Sequence, residues 1–329
     1  MSSGVCRFQP WAAVRTEGTG IRRLTSQDRV SGTKDHLRGI LWMIASVAAF
    51  TAMGLVIKHL SSQVELAVIV LFRQWVVLLI LVPWLIRSDA PEILTQRLGT
   101  HTIRALLALS SFACFAYAVG RLILADATAL TFTSPLWSIL VSVIFLGEPV
   151  RIRRWTATVI GFVGVLFIVK PAGDVAPAML VALAGAICVS LSMVLVKKLS
   201  TTESPHQILF YFTVVGSLAS LGPGIYFWQT PSPGQWMWLI SIGVAGFAGQ
   251  MCITRAIALA EVTIVAPVDF LRLPLAVVTG FFLFAEIPDR WTVIGIITIA
   301  LASIYIATRE TALRRPGEGG APDQGAPMM

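Results

Sequence analysis

Charged side chains are scarce. Asp, Glu, Lys and Arg make up 13% of the 329 residues, about half the share of a soluble domain, which excludes a water-facing globular surface over most of the chain. The four cysteines, Cys6, Cys114, Cys188 and Cys252, show neither C-x-x-C nor metal-ligand spacing. Buried free thiols are therefore expected, with no disulfide framework and no metal site. No G-x-x-x-x-G-K-[ST] phosphate loop, H-E-x-x-H or G-x-S-x-G occurs, and His36, His59, His101 and His206 are scattered. ATP hydrolysis and metal- or serine-based hydrolysis thus have no visible machinery, and no cofactor or nucleic-acid partner is expected. Residues 1–36 also lack the apolar core, roughly 7–15 residues long, of a cleaved signal peptide.

What the chain has instead is apolar length. It is 56% hydrophobic with a mean hydropathy of +0.80, and apolar runs of about 20 residues mark membrane spans. Ten are expected, at roughly 37–60, 66–86, 100–119, 123–146, 153–169, 176–197, 207–228, 235–260, 262–285 and 291–308. The net charge of +8 has an ordinary source here, because Lys and Arg in short loops stay on the cytoplasmic side. With the N-terminus inside, only Lys58, Arg121, Lys170 and Arg290 of the basic residues lie outside, so both termini are expected in the cytoplasm. Residues 1–36 then form a disordered basic arm and residues 309–329 a disordered tail.

The chain repeats itself. A shift of 138 residues aligns Leu71-Phe72 with Leu209-Phe210, Cys114 with Cys252, Ala118 with Ala256, and Glu148 with Glu286. Each copy, 37–170 and 176–308, holds five spans, and five is odd, so the second copy enters the membrane from the opposite side. Inverted repeats of this kind are common in secondary transporters, with the solute near the midplane between the halves. The expected fold is an all-α polytopic membrane protein of ten transmembrane helices in two inverted five-helix repeats.

The stretch ADATALTFTSPLWSILVSVIFLGEPVRIRRWTATVIGFVGVLFIV, residues 125–169, resembles the end of an EamA domain. VTIVAPVDFLRLPLAVVTGFFLFAEIPDRWTVIGIITIALASIYI, residues 262–306, resembles a second copy, and Arg73 matches an arginine usual in that family's second span. The second copy departs at Ala285-Glu286-Ile287-Pro288, where the first has Gly147-Glu148-Pro149. The EamA resemblance, within the drug/metabolite transporter superfamily, implies transport of a small organic solute. Carriers of S-adenosylmethionine and riboflavin are similar members. It also implies the bacterial inner membrane as the location. Expected partners are the small-molecule substrate and the lipid bilayer, with a homodimer left open.

Three basic residues fall inside spans, Arg73, Arg255 and Arg272, and so does the carboxylate Asp269, whereas Asp126 begins its span. A charge at the centre of a span costs a few kcal/mol, so each needs a reason. Asp269 and Arg272 are three apart, share a helical face and are able to neutralise each other. The repeat places uncharged Thr131 and Ser134 at the equivalent positions, which favours solute chemistry over a requirement of the fold. Pro267 and Pro274 free backbone carbonyls nearby, tolerable only where protein or water supplies partners. Interior aromatics are suited to stacking on a planar or cationic solute. The candidate substrate-binding residues are thus Arg73, Trp75, Tyr117, Trp137, Tyr211, Asp269 and Arg272. Gly243, Gly246 and Gly249 read as a surface for close helix packing. The rival reading is a membrane enzyme acting on lipid-linked groups, centred on Glu148 and the Arg151, Arg153 and Arg154 loop.

Overall fold

In lipid every backbone polar group must be satisfied within its own segment, and long apolar runs therefore fold as helices. A computed structural model describes residues 26–87, 95–146, 152–170, 176–200, 202–203, 205–260 and 262–314, with all regular structure among them helical. The helices are α1 (Ser26–Leu60), α2 (Leu66–Arg87), α3 (Leu98–Arg121), α4 (Leu124–Thr131), α5 (Ser134–Leu146) and α6 (Ile152–Val169). They continue as α7 (Pro177–Leu199), α8 (Pro205–Tyr226), α9 (Pro233–Leu259), α10 (Val262–Asp269), α11 (Arg272–Phe284) and α12 (Arg290–Arg314). Seven helical stretches among the described residues are long and apolar enough to cross a membrane, and three more apolar ones, 66–81, 155–169 and 290–305, are shorter. Many large apolar side chains point outward, Phe282 at 77% and Met237 at 73% exposure among them. A multi-pass membrane protein accounts for such a surface.

Two expectations need correction. Residues 26–36 of the arm expected to be disordered are helical, and α12 runs to Arg314, beyond 308. Once an apolar span has nucleated a helix, each added residue gains a hydrogen bond, and propagation outward is easy. The expected continuous spans 123–146 and 262–285 are each broken in two, at Phe132-Thr133 and at Phe270-Leu271. Proline is the physical reason. Pro135 and Pro274 sit in the first turn after each break, where a missing N–H removes no helical bond.

The breaks repeat at one register. Adding 138 to the bounds of α4 and α5 gives those of α10 and α11. Packing follows the same exchange: α1 lies on α9 as α3 lies on α7, while α2 meets α8 and α6 meets α12. Small residues allow the close approaches. A Cβ on Gly249 would stand 3.0 Å from the Phe50 ring, and one on Gly185 would stand 2.8 Å from Cys114 Cβ.

Candidate functional site

The two helix breaks face each other. Phe132 follows α4 as Phe270 follows α10, and their rings lie 5.1 Å apart. These residues are equivalents under the shift of 138, so their contact brings the two breaks together. Arg272, the first residue of α11, directs its guanidinium between Phe132 (5.3 Å) and Phe50 of α1 (4.5 Å). Its Nη2 donates to Asp269 Oδ1 at 2.5 Å across the break, with both side chains about four-fifths buried.

Arg73 reaches the same seam from α2. Its guanidinium covers the Phe112 ring of α3 at 4.1 Å, and Nη1 donates to Gln74 Oε1 at 2.7 Å. A Cβ on Gly246 of α9 would meet Met53 Sδ at 3.3 Å and Arg73 Nε at 3.6 Å. Met53 and Phe50 lie three residues apart on α1, about one turn, and they face Gly246 and Gly249, likewise about one turn apart on α9. Arg73, Asp269 and Arg272 therefore belong to one region, lined by phenylalanines and by the glycine face of α9.

The four remaining candidates lie elsewhere. The Trp75 indole donates to the Ser217 carbonyl of α8 at 3.3 Å. Tyr117 lies beneath Arg121, 3.9 Å from its guanidinium, in a cavity of about 320 Å³ at the α1–α2 turn that Glu65 and Gln229 also line. Trp137 packs edge-on against Phe162 of α6 at 4.8 Å. Tyr211 packs against buried His101 at 4.6 Å, next to Glu203, whose Oε2 is 3.7 Å from His101 Nε2. Phe50, Phe112 and Phe132 were missed as members of the central region. The shift of 138 pairs Phe132 with Phe270 and was the available signal for one of them. Arg255 is exposed, with its guanidinium over Trp42 at 4.7 Å. Glu148 lies outside the described residues.

A second polar cluster joins the halves at the end of the bundle where α1 finishes. Lys58 donates to the Leu122 carbonyl at 2.6 Å and pairs with Glu286. Glu286 Oε2 accepts the Leu124 N–H at 2.8 Å, which caps the start of α4. Nearby, Asp289 accepts hydrogen bonds from Lys170 and from the Thr292 N–H that opens α12. These two bonds, the lysine's first, hold its carboxyl down at about 2.

The profile of the EamA-like transporter family matches this chain twice, at residues 37–170 and 176–308. A riboflavin transporter of Vibrio cholerae is 31% identical over 86% of this chain and 97% of its own length. An S-adenosylmethionine uptake transporter of Rickettsia conorii is 28% identical over 84% of this chain and 95% of its own. The pseudopaline exporter CntI of Pseudomonas aeruginosa is 29% identical over 82% and 95%. In fold, a solved crystal structure superposes with a TM-score of 0.52 at 18% identity, covering 87% of this chain and 99% of that one.

Proposed function

Since the chain belongs to the EamA-like transporter family and is a transporter of small metabolites, we propose that it is a secondary carrier working by alternating access. Its ten spans form two inverted five-helix repeats, 37–170 and 176–308, counting each broken helix pair and each shorter apolar helix as one span. The solute binds where the two breaks meet, among Arg73, Asp269 and Arg272, and a proton or solute gradient drives it. The carrier sits in the bacterial inner membrane with both termini in the cytoplasm, as the distribution of basic residues favours.

One observation carries this reading: the contact between repeat-equivalent Phe132 and Phe270, with a buried ion pair beside it. Broken helices that meet at a repeat interface are the usual solute sites of inverted-repeat carriers, because their free backbone ends tolerate burial only beside a cavity or protein partners. Exchange of conformations between the halves then exposes the site to either side in turn. The aromatic candidates Trp75, Tyr117, Trp137 and Tyr211 take positions along the route or in packing, outside the central cluster.

S-adenosylmethionine-like and riboflavin-like uptake, and export of amino-acid-like metabolites, are the solute classes to test first. Purified chain in proteoliposomes, assayed across these classes with and without a proton gradient, is expected to show gradient-dependent flux. Arg272→Ala is expected to reach the membrane and lose transport. Full retention of flux by that variant would remove the break region from the mechanism.

A further inference from the structure

A guanidinium carries five N–H donors and no acceptor. For Arg73 the bonded partner among the described residues is Gln74 Oε1, and its Nε is buried with no partner. Gln74 is itself 2% exposed, with a buried, unpartnered Nε2. Among the described residues no carboxylate lies within ion-pair distance of Arg73. The Phe112 ring offsets part of the charge but leaves the buried Nε without an acceptor.

Arg104 and Arg272 share the buried, unpartnered Nε, but the charges of the other span arginines are met in other ways. Arg272 has Asp269. Arg104 lies in the second turn of α3 and donates to the Ile208 carbonyl near the start of α8. Arg255 and Arg121 are exposed near helix ends. An uncompensated charge held deep in the bundle is destabilising, and a fold with no use for it gains by replacing it with an apolar residue. Space is kept at the bare edge, because Gly246 presents no side chain towards Arg73 Nε.

We infer that the carried solute bears a carboxylate that pairs with the bare edge of Arg73, making Arg73 the residue that selects an anionic solute group, whereas Arg272 is already neutralised by Asp269. Planar bidentate pairing of guanidinium with carboxylate supplies both strength and geometric choice. The assignment deepens the transport reading above and rests on it. It divides the roles of the two arginines: Arg73 reads charge, and the Asp269–Arg272 pair shapes the site.

The test uses the full chain in proteoliposomes and probes matched in all but charge: nicotinate with nicotinamide, L-methionine with L-methioninamide, and succinate with succinamide, beside riboflavin. Wild type is expected to carry a carboxylate at least tenfold faster than its amide. Arg73→Gln should erase that preference, and Arg73→Lys should keep part of it. The melting temperature of solute-free Arg73→Met should equal or exceed that of wild type, which a purely structural arginine would not allow. Flux that is equal for carboxylate and amide, or a carboxylate preference unchanged in Arg73→Gln, overturns the inference and leaves the transport reading standing. Flux of no probe by wild type overturns both.

Discussion

At the scale of single residues, the Asp269–Arg272 pair poses a problem that Arg73 does not. Each member neutralises the other, so removing one leaves a buried charge behind, which typically costs about 3–5 kcal/mol when burial is complete. Both side chains here are about one-fifth exposed. Asp269→Asn is therefore expected to lower stability by about 1–3 kcal/mol, below that range. The double variant Asp269→Asn/Arg272→Gln should recover most of this loss, since no charge is left unpaired. The two measurements separate structure from function. If the recovered double variant also regains transport, the pair is structural; the proposed site requires that it stay inactive. Asp289 titrates outside the spans and gives a pH signature. With its carboxyl held at about 2, below the ordinary value of about 3.9, its contribution is complete above the unfolded value and fades as pH falls through the folded one. The difference in thermal stability between wild type and Asp289→Asn should thus shrink between about pH 4 and pH 2 and vanish below. A difference constant across that window would show that Lys170 and Thr292 do not hold the carboxylate. The effect is small, since Asp289 is nearly half exposed and water screens the pair.

At the scale of elements, the sequence made the positions of helices legible because apolar length alone decides them in lipid. The charges at 269 and 272 were legible as an anomaly for the same reason. The break between them was not, since a proline in the middle of an apolar run reads equally as a kink or as a fresh helix start, and only packing decides. The Phe132–Phe270 contact is a matter of how two halves dock, which no local pattern encodes. The glycine face of α9 was read as packing, and Gly243 and Gly249 fit that, one against Val76 and one against Phe50. Gly246 has a second role, leaving room beside Arg73. A Cβ on Gly243 would fall 2.4 Å from Val76 Cβ, so Gly243→Ala forces α2 and α9 apart. Overpacking of that kind costs about 1–3 kcal/mol, and a thermal-shift assay finding no loss would disprove the close approach. The end of α11 offers the opposite case. Ala285 adopts φ 54°, the left-handed conformation that suits glycine. The first repeat has Gly147 at the equivalent position in the sequence, so the departure from G-E-P places an alanine where this left-handed conformation favours glycine. Ala285→Gly should therefore stabilise the protein by about 1 kcal/mol, as relief of a left-handed alanine implies; a drop in melting temperature would contradict the assigned backbone.

At the scale of the whole molecule, alternating access requires that contacts closing one end of the bundle break while the halves remain joined elsewhere. The Lys58–Glu286 cluster fits that requirement. Lys58 belongs to the first repeat and Glu286 to the second, and both side chains are 14% exposed. Glu286 also holds the start of α4 through the Leu124 N–H. Separating α4 from α11 must break both interactions together. The α6–α12 contact, by contrast, is interlocked through Gly164 and Gly295, which suits a hinge that stays closed. Removing the charge at 286 should therefore populate the form open at this end, and each 1.4 kcal/mol lost from the closed form multiplies that population about tenfold. Ala125, one residue beyond the capped N–H, is 3% exposed and reports on the opening. In a background freed of the native cysteines, Ala125→Cys should react slowly with a membrane-impermeant maleimide. Adding Glu286→Gln or Lys58→Met should speed that reaction about tenfold, and transport should slow, because the carrier then rests open instead of cycling. Equal labelling rates with and without the Lys58–Glu286 pair would mean that this cluster holds the static fold and that the carrier opens elsewhere.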